Sequence, residues 1–183
     1  MRILVAITGA SGAIYGIRLI EELRKNGVET HLVISDKAKK ILEYETNYKA
    51  DEIENIAFKN YDNDDLFASP SSGSFRLDGM VISPCSIKSL SSIANGFCDN
   101  LISRSAVCRL KEGRKLVIVL RETPLDLASI NNMRLLKMGG AMILPAMPAF
   151  YHSPKKIGDL IDFIVGKILD QFNIKHSLFM RWE

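Results

Sequence analysis

Residues 2–8 contain an uninterrupted apolar run, Ile3 to Ile7, and lead directly into a glycine-containing loop at 9–12. An apolar run without alternation is typical of a strand that is buried on both faces. The apolar residues that follow, from Ile14 to Leu23, recur with helical spacing and stop at Asn26 and Gly27. Because a buried parallel strand needs a crossover to return to the sheet, this opening predicts an α/β protein.

The alternation of strands and helices continues to the end of the chain. Strands are predicted at 29–35, 79–83, 115–120 and 141–144, and helices at 36–45, 51–58, 87–95 and 99–111. Asp126 and Ser153, the latter followed by Pro154, are predicted to begin two more helices. The segment 46–74 is polar and gives only a weak helix signal. The 183 residues therefore predict one Rossmann-like domain over 1–183, with a mostly parallel sheet flanked by helices.

Composition excludes several classes of protein. The chain is 47% hydrophobic with a net charge of +3, and its basic residues are scattered, which argues against nucleic acid as a partner. The uncharged stretch 138–154 contains three prolines and is not typical of a membrane span. Three cysteines without a CxxC pair, and a first apolar run too short for a signal peptide, predict a reduced, cytoplasmic protein.

Polar residues follow the predicted strands where each one ends. In an open α/β sheet, ligands bind beyond these carboxyl ends. The residues at this edge are hydroxyls, small residues, a guanidinium, a carboxylate and a phenol: 9–12, Ser35, 84–88, Arg121, Glu122 and 145–151. Such a rim suits an anionic group on a planar ligand.

Several of these residues also have structural interpretations. The loop 9–12 is interpretable as a tight turn without a ligand, and Ser86 as a helix cap. Asp36 would suit a ribose but is favoured as a helix cap, and Cys85 is favoured as a packing residue because no histidine partner is evident. Arg121 and Glu122 could form a local ion pair, although charges at the ligand edge are seldom there for packing.

With these segments in place, the sequence resembles the UbiX family of flavin prenyltransferases almost end to end. The matching motifs are TGASGA (8–13), VIS (33–35), YET (44–46), PSSGS (70–74), SPCSIKSLSSIANG (83–96), DNLISR (99–104), VLRETPL (119–125), NMRLLKMGGAMILPAMPAFYHSP (132–154) and RW (181–182).

The resemblance implies transfer of a dimethylallyl group from dimethylallyl phosphate to N5 and C6 of reduced FMN, without a metal. The product, prenylated FMN, would serve a UbiD-type decarboxylase. The family's dodecamers imply a homo-oligomer with sites between subunits, since a chain of this length has no room for a separate substrate domain.

The resemblance also implies roles for individual residues. Proton handling is implied for Glu122, Ser11 and Glu45. FMN binding is implied for Gly9, Ala10, Ser11, Ser35, Ser86, Ile87, Lys88, Ser89 and Arg121. Substrate binding is implied for Lys111, Arg121, Tyr151, Lys167 and Trp182, with a segment of about 173–183 reaching over a site or a neighbour. Lys167 stands where some relatives have arginine, which keeps the charge but loses the bidentate geometry.

Three other functions are weighed against this one. A flavin-linked aromatic-acid decarboxylase is less favoured, because the PxMNxxMW signature of the related cysteine decarboxylases is missing. A flavin-delivery subunit without catalysis would not need Lys111, Glu122, Tyr151 and Lys167 together. An NAD-dependent dehydrogenase would need a different glycine spacing and a Tyr-x-x-x-Lys pair.

Overall fold

The computed structural model describes residues 1–182. Six strands occur at Arg2–Ile7 (β1), Glu29–Ile34 (β2), Lys59–Tyr61 (β3), Gly79–Cys85 (β4), Leu116–Leu120 (β5) and Met142–Ile143 (β6). Seven α-helices occur at Ala13–Lys25 (α1), Asp36–Glu45 (α2), Ala50–Ile56 (α3), Ile87–Ala94 (α4), Leu101–Lys111 (α5), Leu127–Met138 (α6) and Ile157–Gln171 (α7), with a short 3-10 turn at Ser69–Ser71.

The six strands form one parallel sheet in the order β3-β2-β1-β4-β5-β6. The order reverses between β1 and β4, so the crossovers from these two strands leave in opposite directions. This reversal opens a crevice at the carboxyl ends of β1 and β4, which is where ligands bind in folds of this type.

Two hydrophobic cores lie on opposite faces of the sheet. Ile3, Val5 and Ile7 of β1 point to the core shared with α1 and α7, whereas Leu4 and Ala6 point to the core beneath α4 and α5. Both sets are fully or almost fully buried, because successive side chains of a strand face opposite sides. The predicted α/β class and its parallel sheet are therefore confirmed.

Three local predictions are wrong. The polar segment 46–74 contains an edge strand, β3, whose short exposed sequence gave no periodic signal. Asp36 does not cap α2, because the Ser35 hydroxyl accepts the hydrogen bond from the Ala38 amide at 3.3 Å.

The third wrong prediction concerns the start of α7. Ser153 does not begin this helix: it has a φ of 53°, and the helix begins at Ile157. There the Asp159 carboxylate accepts hydrogen bonds from the amides of Lys155 and Lys156.

After α7 the chain folds back along that helix. Phe172 lies against Gly79 at the amino end of β4, and Phe179 then packs on Phe163 with ring centroids 4.9 Å apart. Trp182 reaches Tyr151 at the far end of the same path. No helix among residues 1–182 is long and apolar enough to cross a membrane.

Candidate functional site

A groove of about 400 Å³ lies at the carboxyl edge of the sheet, over the crevice between β1 and β4. It is called the carboxyl-edge groove below. It is lined by residues that follow five strands, β1 to β5, together with part of the start of α5: Gly9, Ala10, Ser11, Ser35, Asp36, Lys37, Asn63, Ser86, Ile87, Lys88, Ser89, Asn100, Ile102, Arg121 and Glu122. All nine residues predicted to bind FMN therefore line one cavity.

The glycine loop at the start of α1 is held by a carboxylate from another helix. Glu45, the last residue of α2, accepts hydrogen bonds from the amides of Gly12 at 2.7 Å and Ala13 at 3.3 Å. Gly12 has a φ of 95°, a conformation that favours glycine. These two amides therefore already have an acceptor in Glu45 and are not available to a ligand anion.

Two other helix starts keep their amides available. At α4, the Ser86 hydroxyl accepts from the Ser89 amide at 3.3 Å, which leaves the amides of Ile87 and Lys88 without an acceptor among the described residues. At α2, Ser35 caps the helix in the same way. Both helices direct the positive ends of their dipoles into the carboxyl-edge groove, where an anion would be stabilised.

Arg121 joins the glycine loop to the end of β5. Its Nε donates to the Ser11 carbonyl at 2.9 Å, and its amide donates to the Cys85 carbonyl at 3.4 Å. Glu122 is half-buried beside it, and its carboxylate accepts from the Thr123 amide at 3.0 Å. The two side chains bind separate backbone groups, so the ion pair considered from the sequence is not formed.

Cys85 is a packing residue. Its side chain is fully buried, and burial raises the pKa of its thiol to about 12. A fully buried thiol with a raised pKa supplies little thiolate at neutral pH, which favours packing over a nucleophilic role.

Three residues predicted to bind substrate lie in a second region, the C-terminal cluster, which consists of Tyr151, Lys167, Asp170, His176, Arg181 and Trp182. The ring of Trp182 meets Tyr151 edge-on at a centroid distance of 5.5 Å. The Lys167 ammonium lies 3.9 Å from the Asp170 carboxylate and is 44% exposed. Within residues 1–182, no hydrogen bond or ion pair joins this cluster to the carboxyl-edge groove.

Lys111 lies apart from both regions. It ends α5, and the short turn after it leads into the amino end of β5, whereas Arg121 follows the carboxyl end of that strand. The five residues of β5 separate the two ends by about 17 Å. One copy of the chain therefore presents the predicted site residues in three separate places.

Sequence reasoning missed four residues of the groove, namely Lys37, Asn63, Asn100 and Ile102. Asn63 lies in the polar segment 46–74, which gave no signal of a site, yet it accepts hydrogen bonds from the amides of Leu101 and Ile102. Asn100 could have been found, since an asparagine before a helix is a strong cap signal and its side chain accepts from the Ser103 amide.

Comparisons with known proteins agree with this geometry. A family model described as Flavoprotein matches residues 1–169. A curated protein of Thauera aromatica, named flavin prenyltransferase UbiX, is 52% identical over 182 residues, which cover 100% of this chain and 94% of that protein. The chain belongs to the UbiX family of flavin prenyltransferases.

Two solved structures of UbiX proteins superpose closely on this chain. The crystal structure of AnUbiX (PadA1) in complex with FMN and dimethylallyl pyrophosphate has a TM-score of 0.98 and 48% identity, covering 100% of this chain and 97% of that one. A dodecameric FMN-dependent UbiX-like decarboxylase from Escherichia coli O157:H7 also has a TM-score of 0.98, with 44% identity and full coverage of both chains.

Membership of the UbiX family confirms the predicted fold class and the prenyltransferase activity, and the decarboxylase alternative is not favoured. The assignments of single residues to FMN or to the phosphate ester stay predictions. Among residues 1–182, no three His, Cys, Asp or Glu side chains are grouped in a way that could hold a metal ion.

Proposed function

We propose that this UbiX-family chain joins the dimethylallyl group of dimethylallyl phosphate to reduced FMN, at N5 and C6 of the flavin. The observation that carries the proposal is the meeting of two helix N-termini and the Arg121 guanidinium in one groove at the reversal point of the sheet. This arrangement suits a planar ligand with a phosphate at one end.

The residues present fit FMN. The amides of Ile87 and Lys88, with the hydroxyls of Ser86 and Ser89, form a cradle of donors for a phosphate without a bound carboxylate in it. Gly9 and Ala10 present backbone instead of bulk to the groove, and Ser35 and Arg121 border it. When bound, reduced FMN supplies the nucleophilic N5 and C6 atoms, and the product is prenylated FMN.

Cationic and aromatic groups would act on the phosphate ester. Lys167, Lys111 and Arg121 would stabilise the charge that develops on the phosphate as it leaves the dimethylallyl carbon. The rings of Tyr151 and Trp182 offer π faces to the positive charge left on that carbon. The rings of Tyr151 and Trp182 are nearly perpendicular, at 89°. The edge of one ring therefore contacts the other ring while its own face stays open to a ligand.

Proton handling is proposed for Glu122, with Ser11 and Glu45 in support. Glu122 is half-buried and borders the groove. Its carboxylate accepts one hydrogen bond within the described chain, from the Thr123 amide. Glu45 accepts two amide hydrogen bonds, so its support includes fixing the loop that carries Ser11. The departing phosphate is the other candidate base.

We also propose a homo-oligomer, a dodecamer like the Escherichia coli relative, with walls of each site supplied by neighbouring copies. The separation of the carboxyl-edge groove, the C-terminal cluster and Lys111 in one copy supports this. Large side chains left exposed also support it, including Phe67 at 100%, Leu127 at 74% and Phe150 at 70%. A UbiD-type decarboxylase would receive the product, and the free thiols of Cys85, Cys98 and Cys108 suit a cytoplasmic enzyme.

The test is an anaerobic incubation of the pure protein with reduced FMN and dimethylallyl phosphate, followed by mass spectrometry of the released flavin. We expect a flavin that carries one added five-carbon unit, and none when the phosphate ester is left out. A flavin of unchanged mass contradicts the proposal. Release of carbon dioxide from an aromatic acid by the protein with FMN alone would support the decarboxylase instead.

A further inference from the structure

Asp170, near the end of α7, contacts three basic side chains, those of Lys167, His176 and Arg181. Its carboxylate accepts hydrogen bonds from Arg181, at 2.7 Å to Oδ1 and 3.3 Å to Oδ2. It also accepts from His176 Nε2 at 3.2 Å, and the Lys167 ammonium lies 3.9 Å away. The same carboxylate thus contacts α7 itself and two points of the segment that folds back over it.

The tautomer of the neutral His176 ring follows from the hydrogen bond at Nδ1. The Leu178 amide donates to Nδ1 at 3.3 Å, so Nδ1 is an acceptor and the proton of the neutral ring lies on Nε2. Nε2 therefore donates to Asp170. The side chain of His176 is only 1% exposed. A buried donor with one acceptor holds the segment in a defined place.

These bonds determine where the last aromatic residue lies. Arg181 is fixed by Asp170 on one side and lies over the Phe179 ring at 5.6 Å on the other. Trp182 follows directly, and its ring reaches Tyr151 although 78% of the residue is exposed. Because most of Trp182 is exposed, the ion pair of its neighbour adds a restraint on its position beyond the contact with Tyr151.

Lys167 is affected differently. A separation of 3.9 Å is too long for a hydrogen bond, so the carboxylate attracts the ammonium without using its N–H donors. Because Arg181 and His176 already bond both carboxylate oxygens, Lys167 stays oriented but keeps its donors for another anion.

We propose that Asp170 is a positioning residue for the phosphate ester: it orients Lys167 and, through Arg181, holds the Trp182–Tyr151 pair, without contacting the substrate. This inference rests on the proposed function, in which Tyr151, Lys167 and Trp182 bind dimethylallyl phosphate.

The chain offers a direct probe of this arrangement, since Trp182 is its single tryptophan. In Asp170→Asn the charge is lost while the size is kept. We expect lower fluorescence anisotropy of Trp182 in the FMN-loaded protein, because the segment is no longer held. We also expect dimethylallyl phosphate to bind about tenfold more weakly, because Lys167 and the Trp182–Tyr151 pair are no longer held in place. Binding is measured by calorimetry with oxidised FMN, so that no turnover occurs.

Asp162→Asn is the matched control, because Asp162 lies on the same helix and pairs with a different arginine, Arg18, at 2.7 Å. It should leave both the anisotropy and the affinity for dimethylallyl phosphate unchanged, and Asp170→Glu should restore part of both. Unchanged anisotropy and affinity in Asp170→Asn overturn the proposal, as do equal losses in Asp162→Asn. If the unaltered protein fails to bind dimethylallyl phosphate, the proposed function fails first and this inference fails with it.

Discussion

Glu45 contacts the glycine loop through two backbone amides, which gives this residue a structural role beside the proposed role in proton handling. Its replacement by different residues separates the two. Glu45→Ala removes both acceptors and should lower the free energy of unfolding by about 1 kcal/mol, as for other lost helix caps. Glu45→Gln keeps one acceptor oxygen and should retain most of that stability.

Urea unfolding checks the stability, and the anaerobic prenylation assay checks the turnover. Slow turnover in a well-folded Glu45→Gln variant would support proton handling. Normal turnover in that variant, combined with a destabilised Glu45→Ala, would leave Glu45 with its structural role alone.

His31 predicts a dependence of stability on pH. Its side chain is buried on β2, with Nδ1 2.8 Å from the Tyr61 hydroxyl and Nε2 3.9 Å from Glu29. Burial lowers the pKa of His31, reinforced by Arg2 and Lys59, while Glu29 opposes the shift.

The folded chain therefore releases the His31 proton more readily than the unfolded chain, whose histidine titrates near pH 6.5. The contribution of His31 to the free energy of unfolding is fully present above about pH 6.5. It decreases as the pH falls below that value, because unfolding then takes up a proton. Urea midpoints measured from pH 7.5 down to about pH 5.5 should fall, and His31→Phe should reduce the slope. An equal slope in His31→Phe would assign the effect to other groups.

At the scale of elements, the close approach of α1 to β4 depends on Gly16. A Cβ built there would lie within 2.3 Å of the Ser83 carbonyl oxygen and 2.9 Å of the Ile7 side chain, both in the sheet. Gly16→Ala should therefore lower the free energy of unfolding by about 2 kcal/mol or more, since the backbone must shift to admit the methyl group. Gly158→Ala is the matched control, because it is also helical and would meet only the Lys156 side chain at 3.7 Å. Thermal unfolding of the two variants checks this, and equal shifts would contradict the packing argument.

The elements that could be predicted are those whose sequence reflects burial. β1, β4 and β5 lie inside the sheet and are buried along almost their whole length, so their type followed from the sequence. By contrast, β3 lies at the edge with exposed side chains, and α7 takes its cap from Asp159, which lies inside the helix. Of these two, only β3 depends on a tertiary neighbour, the strand β2 with which it pairs. The α7 cap is a local contact that comes from a residue inside the helix instead of one before it.

The groove was predictable for the same reason: residues that follow parallel strands meet at one edge, as Ser11, Ser35 and Arg121 do. The relation of Glu45 to the glycine loop was not, because it joins the end of one helix to the start of another through backbone atoms. Sequence motifs likewise grouped Lys111 with Arg121, which the sheet separates by the length of β5.

At the scale of the whole molecule, that separation leads to a test of where Lys111 acts. If each site takes Lys111 from one copy and Glu122 from another, then Lys111→Ala and Glu122→Gln are each inactive alone but complement one another in mixed oligomers. Random mixing of the two chains should leave roughly a quarter of the sites with both native residues. The prenylation assay on co-expressed, doubly tagged protein checks this, with each variant alone as control. If both residues act within one copy, no site in the mixture is intact and activity stays at the level of the single variants, so recovered turnover would show that the neighbouring chain completes the site.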